Sequence, residues 1–217
     1  GAVRESNDML IDGQVEGSLP FQTGNLDVDN NVIAPNEMHS LSEDGIRVYT
    51  GGGSVVVENS VVKKMRGCFR LYLASAATVT NSLGVDCGAT NYNMPKGGTV
   101  VNSIGNFTNG PLSDFRLSRS DQNLEITILA SPNAVGVHNI ADVLGNNHEI
   151  VFHREAGAPE DTQETKAIVV SGNNSEIINE TEYKIVLEAG TSGNTIITAG
   201  EVEDNGNNDV TFVDLEL

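Results

Sequence analysis

The sequence predicts an all-β protein, mainly antiparallel, with a sandwich or jelly-roll body. Three observations lead there. Val, Ile and Thr gather in strand-length runs that suit a pleated surface. Glycine (23 residues) and asparagine separate those runs from end to end, and both tolerate the positive φ angles of tight turns. Hydrophobic residues make up 38% and aromatics only 5%, with no Trp, so an aliphatic core with a few Phe and Tyr anchors is expected.

Residues 1–44 read as an irregular N-terminal arm. Breakers at Asp12-Gly13, Gly17-Ser18, Thr23-Gly24-Asn25 and Asp29-Asn30-Asn31 interrupt it, and Val15, Leu19, Phe21, Leu26 and Val28 offer only isolated strand contacts. A stretch this long and unpatterned costs conformational entropy unless it packs on something. A partner subunit is the expected support.

Residues 45–160 form the main β body. Ile46-Arg47-Val48-Tyr49 alternates before the Gly51-Gly52-Gly53 break. Ser54 to Glu58 and Val61 to Met65 then read as a hairpin around Asn59-Ser60. Cys68 to Leu73 is a two-sided strand, and Ala76 to Thr80 extends or re-pairs it. Thr99-Val100-Val101 follows a turn-rich stretch. Phe115-Arg116-Leu117 and Leu124 to Leu129 make a hairpin-like pair through Ser118 to Asn123. One short helix is expected near 137–144, where Val137, Ile140, Ala141 and Leu144 recur at spacings of three and four and Gly145 supplies a C-terminal cap. It leads into a strand from Glu149 to Arg154.

Residues 161–217 read as a C-terminal meander packed on the same body. Its strands are expected at Lys166 to Val170, Tyr183 to Leu187, Thr195 to Val202 and Val210 to Leu217, with Asn205-Gly206 as a hairpin turn. The same density of turns also fits a β-solenoid, the alternative fold, although no repeat of fixed period stands out.

The formal charge is −18 and the pI about 4.3. Such a surface repels phosphate backbones and anionic headgroups, so neither nucleic-acid binding nor membrane insertion is expected. No signal peptide or apolar spanning run is visible. Cys68 and Cys87 lie outside any C-x-x-C pattern. They are expected as buried free thiols, a disulfide across that loop being the alternative.

No familiar catalytic motif is complete. His148 and His153 are five apart in a strand-like run, whereas a zinc-protease helix needs them at i, i+4. Gly51-Gly52-Gly53-Ser54-Val55 lacks the glycine that a nucleophile elbow requires, and no nucleotide-binding glycine loop occurs. The 30 acids make any carboxylate pair a free choice. Sequons at Asn106, Asn173 and Asn179 carry little weight in so Asn-rich a chain.

Two acid-and-Asn clusters have the oxygen donors that calcium takes: Asp27, Asp29 and Asn31, and Asp204 with Asp209. The first begins like an EF-hand loop but has Val32 at position six and Met38 at position twelve. The second is equally well explained as a turn. No other cofactor is expected.

The functional expectation is a non-catalytic structural protein that assembles with itself, as a trimer or larger, and with other structural proteins. A virion component (capsid, decoration, spike or fibre) suits the arm, the acidity and the Gly/Asn-rich strands, in a virion or extracellular setting. The alternatives are an extracellular adhesion or carbohydrate-binding β module, calcium-dependent or not, and, further down, a glycan hydrolase or lyase. The missing Trp counts against the sugar-directed readings.

Overall fold

The computed structural model describes residues 9–16, 19–21, 26–34, 44–48, 53–85, 87–106, 115–129, 139–154 and 167–214. The chain opens with β1 (Met9–Glu16), β2 (Leu19–Phe21), β3 (Leu26–Ala34) and β4 (Ile46–Val48). Next come β5 (Ser54–Glu58), β6 (Val61–Lys63) and β7 (Gly67–Arg70), then β8 (Ala76–Thr80), β9 (Leu83–Val85) and β10 (Thr90–Asn93). After β11 (Thr99–Asn106) and β12 (Phe115–Leu117) follow β13 (Asn123–Leu129), β14 (Ala141–Val143), β15 (Glu149–Arg154) and β16 (Ala167–Val170). The last five are β17 (Glu176–Asn179), β18 (Lys184–Leu187), β19 (Ser192–Thr198), β20 (Val202–Asp204) and β21 (Asn207–Phe212).

These strands form two sheets, and the pairings in both are parallel. The first, of 12 strands, runs β21-β19-β17-β15-β13-β11-β8-β5-β3-β6-β9, with β1 also on β3. The second, of 9 strands, runs β2-β4-β7-β10-β12-β14-β16-β18-β20. From β11 on, the chain alternates between sheets, and each strand as far as β19 pairs with its counterpart one coil before and one coil after. This is a two-sheet parallel solenoid. It overturns the mainly antiparallel sandwich or jelly roll.

The expected hairpins fail for one reason. Asn59-Ser60 joins β5 to β6, but these do not pair with each other; both pair with β3, at Leu26–Asp29 and Val32–Ile33. Ser118 to Asn123 carries the chain from one sheet to the other. Asn205-Gly206 does the same, since β20 pairs with β18 and β21 with β19. Residues that permit positive φ serve a solenoid corner as well as a hairpin.

Two further expectations are corrected. Among the described residues there is no helix. Residues 141–143 form β14, whose burial alternates, while 130–138 lie outside the described residues. Gly145 is not a helix cap. A Cβ on it would stand 2.4 Å from the Arg119 carbonyl oxygen, so it marks a corner where coils touch backbone to backbone. The irregular arm is likewise replaced by strands. Residues 9–34 carry β1, β2 and β3, and β3 pairs onto β5 and β6.

The core lies between the sheets. In β13 the burial pattern alternates, with Leu124, Ile126 and Ile128 inward, as a strand buried on one face requires. Register stacks like on like. Phe69, Tyr92 and Phe115 are successive partners on β7, β10 and β12, with ring centroids 4.9 and 5.8 Å apart, and Phe152 joins the row at 5.8 Å. The Tyr92 hydroxyl donates to the Ile104 carbonyl at 2.7 Å, and burial pushes its pKa well above the ordinary phenol value.

Corners are built from a two-residue unit: one residue with positive φ, then a buried polar residue. Asn59, Asn81 and Asn102 (φ 49°, 49° and 47°) precede Ser60, Ser82 and Ser103. Asp121, Asn147, Asn174 and Gly193 (φ 58°, 58°, 56° and 68°) precede Gln122, His148, Ser175 and Asn194. Each buried amide after the bend needs an acceptor, and the polar side chain one coil on provides it. Ser82 and Ser103 accept from the amides of Ser60 and Ser82, both at 3.2 Å. His148 Nδ1, Ser175, Asn194 and Asn208 continue the device in the later coils.

Cys68 and Cys87 are joined in a disulfide, with Cα atoms 5.7 Å apart, and both are buried. The expected free thiols are thereby corrected. Register brings the start of β10 beside β7, a proximity that a separation of 19 in sequence does not reveal.

Candidate anion-binding cleft

One row of side chains on the outer face of the second sheet is unlike the rest of this acidic chain. The inward residues Ile46, Phe69, Tyr92, Phe115 and Ala141 are register partners, so the residues that follow them also align, facing outward: Arg47, Arg70, Asn93, Arg116 and Asp142. Positions 47, 70, 93 and 116 are spaced by 23 residues. The spacing is constant over these four coils only; it changes to 26 residues at Asp142 and 27 at Val169, so no period runs through the chain. With Arg66 and Arg119 beside the row, five of the chain's seven arginines gather on one face.

Asp44, just ahead of β4, organises one end of the row. Its carboxylate is 1% exposed and meets three guanidinium groups: Arg66 at 2.9 Å, Arg70 at 3.1 Å and Arg47 at 3.2 Å. Arg66 binds it through two nitrogens. A carboxylate buried this deeply requires charged partners. Asp44 thus ties Arg47, Arg66 and Arg70 together at this end of the row.

Next to it, Arg70, Tyr72, Asn93, Arg116, Ser118 and Arg119 line an open cleft of about 360 Å³. The Arg70 guanidinium lies 5.9 Å from the centre of the Tyr72 ring, within the range of a cation–π contact. The Ser118 hydroxyl donates to the Asn93 side-chain oxygen at 3.4 Å. Among the described residues, no carboxylate lies within ion-pair distance of Arg116 or Arg119. Forked guanidinium donors beside an aromatic ring and neutral hydrogen-bonding groups suit an anion carried on a polar, partly apolar body.

A second constellation lies on the outer face of the first sheet. His153 sits between Glu180 (Nδ1 to Oε2, 2.6 Å) and Glu125 (Nε2 to Oε1, 3.3 Å), all three partly exposed. Burial draws its pKa down, but the hydrogen bond and charge of Glu180, then those of Glu125, hold it above the ordinary value. Each ring nitrogen is engaged by a different acid, so the three groups do not converge on a common point. His148, five residues earlier, is buried in the corner ladder, and burial holds its pKa below the ordinary value.

The expected calcium donors do not come together as a loop. Asp27, Asp29 and Asn31 fall within β3, an extended strand rather than an EF-hand turn. Asp204 Oδ1 accepts from the Gly206 amide and from Asn208 Nδ2, both at 2.8 Å, an Asx turn that closes the corner. Asp209 is exposed on β21. Among the described residues, no group of three His, Cys, Asp or Glu side chains is arranged to hold a metal. Asn179 is fully buried, its amide donating to Tyr183 and Thr198 and accepting from Thr181, so that sequon is structural.

The arginine row was legible in part. Ile46-Arg47-Val48, Phe69-Arg70-Leu71 and Phe115-Arg116-Leu117 are the same apolar–Arg–apolar triplet at multiples of one spacing. What defines the class of this protein is the fold: a disulfide-linked, two-sheet parallel solenoid with a basic cleft on an acidic body. A scan against family models finds no match to the chain, and a search of curated proteins likewise finds none.

Proposed function

We propose that the chain is a non-catalytic extracellular binding module, a rigid solenoid that presents its arginine cleft to an anionic ligand. The observation that carries this reading is the gathering of five arginines on one face of a chain of net charge −18. Arginine placed against the overall charge of a surface marks local anion recognition. The disulfide supports an oxidising setting outside the cytoplasm. A microarray of neutral and anionic glycans tests the proposal. Binding is expected to be confined to anionic glycans and lost in the triple variant R70Q/R116Q/R119Q. Binding only to neutral glycans, or to none, overturns it.

A second reading is a homo-oligomeric spike or fibre of a virion. Its argument from an unattached arm is weakened, since β3 is paired with β5 and β6. What favours it is the last coil, where Phe212 is 65% exposed on the edge strand of the first sheet, a surface that stacking with another copy would cover. Light scattering over a range of concentrations separates the two readings, because the spike or fibre requires a stable oligomer.

A further inference from the structure

We infer that the cleft takes a single carboxylate-bearing sugar residue rather than a polyanion, an inference that rests on the anion-binding reading above. Three properties of the site lead to it. First, Arg116 and Arg119 offer planar forks that match a carboxylate with two parallel hydrogen bonds, and Arg70, held by Asp44, places positive charge beside them. Second, the remaining lining is neutral. Asn93 and Ser118 provide amide and hydroxyl groups that pair with hydroxyls, and Tyr72 provides an aromatic face for the ring of a sugar. A bare inorganic anion would make no use of the Tyr72 ring. Third, a cleft of about 360 Å³ lies at the small end of ligand sites.

The overall charge decides against a polymer. The positive region is local, and Asp142 bounds it one strand beyond Arg116. Further along the same outer row stand Val169, Val186 and finally Glu203. A chain of repeated negative charges laid along this face would leave the arginines within a few coils and meet Asp142 and then Glu203 on a chain of net charge −18, whereas one terminal carboxylate needs only the arginine stretch. The coil spacing of about 4.8 Å per strand makes the basic stretch, from Arg47 to Arg116, roughly the length of three sugar units or fewer.

Calorimetric titration of the full chain with glucuronate, glucose, inorganic phosphate and a polyuronate tests this. Glucuronate is expected to saturate and glucose to show no heat. R116Q and R119Q, each with an unchanged unfolding temperature, are expected to weaken glucuronate about tenfold or more. Phosphate binding as tightly as glucuronate overturns the sugar inference and leaves a plain anion site. A polyuronate binding far more tightly per residue than glucuronate overturns the single-charge inference. If glucuronate fails while sulfated or phosphorylated glycans bind on the microarray, only this inference falls; if no anion binds in either experiment, the functional reading falls with it.

Discussion

Ser82 Oγ accepts the buried amide hydrogen of Ser60 across 3.2 Å, one coil away, while its own hydroxyl donates to the Thr80 carbonyl at 2.8 Å. The side chain thus supplies an acceptor to a buried amide at a bend, and is itself held in place by the Thr80 carbonyl. Ser82→Ala strands the Ser60 amide and is expected to cost about 1–3 kcal/mol, whereas the Thr80 carbonyl keeps the Asn59 amide at 3.1 Å. Urea unfolding of the variant checks this; a change of a few tenths would mean that water replaces the hydroxyl freely.

The contact between Gly172 and Gly145 is closer still. A Cβ on Gly172 would lie 1.7 Å from the Gly145 carbonyl oxygen, and backbone on backbone has no flexible end to yield. Gly172→Ala is expected to destabilise the protein by about 3 kcal/mol or more. Gly190 provides the control: its φ is 91°, but a Cβ there meets nothing within 4 Å, so Gly190→Ala bears backbone strain alone, about 1 kcal/mol. The two unfolding temperatures, compared side by side, separate crowding from strain.

The disulfide between Cys68 and Cys87 closes a loop of 19 residues. By chain entropy it stabilises the fold by about 3 kcal/mol. The double variant C68A/C87A is expected to unfold at correspondingly lower denaturant. Thiol counting on the denatured, unreduced protein should find no free thiol, and two thiols per chain would refute the bond.

The two described histidines respond to pH in opposite directions. His153 has a raised pKa. Its stabilising contribution is complete below the unfolded value of about 6.5 and disappears as pH rises through the folded value. His148 is lowered by burial and accepts the Gln122 amide hydrogen through Nδ1. Full stability requires its neutral form. It holds above about 6.5 and falls as pH drops from there through the lowered folded value. Nuclear magnetic resonance titration of the two rings should place one midpoint on each side of the ordinary value. Glu180→Gln is expected to lower the His153 midpoint and leave that of His148 in place.

Much of the strand inventory is legible in the sequence because burial on one face imposes a period of two. Leu124, Ile126 and Ile128 announce β13, and Ile150 and Phe152 announce β15. The helix expected at 137–144 shows the limit of such patterns. Ile140, Ala141 and Val143 are all buried, but a three-residue strand beside a corner presents too few positions to separate a period of two from one of 3.6. The arginine site is visible only as a recurring triplet, because its members lie 23 residues apart and are joined by register rather than by sequence.

From the residues alone follow the β character, the turn-forming role of asparagine and glycine, and an aliphatic core with a few Phe and Tyr anchors. These are local properties, determined by side-chain shape and backbone φ. Strand direction, the closure of Cys68 on Cys87, the stacking of Ser60 on Ser82 and the assembly of Arg70, Arg116 and Arg119 around one cleft belong to tertiary structure. Alternation records which face of a strand is buried and is silent on which strand lies beside it. A corner built from Asn and Gly turns the chain equally well into a hairpin or onward into the next coil, and only the packing of whole coils selects between them.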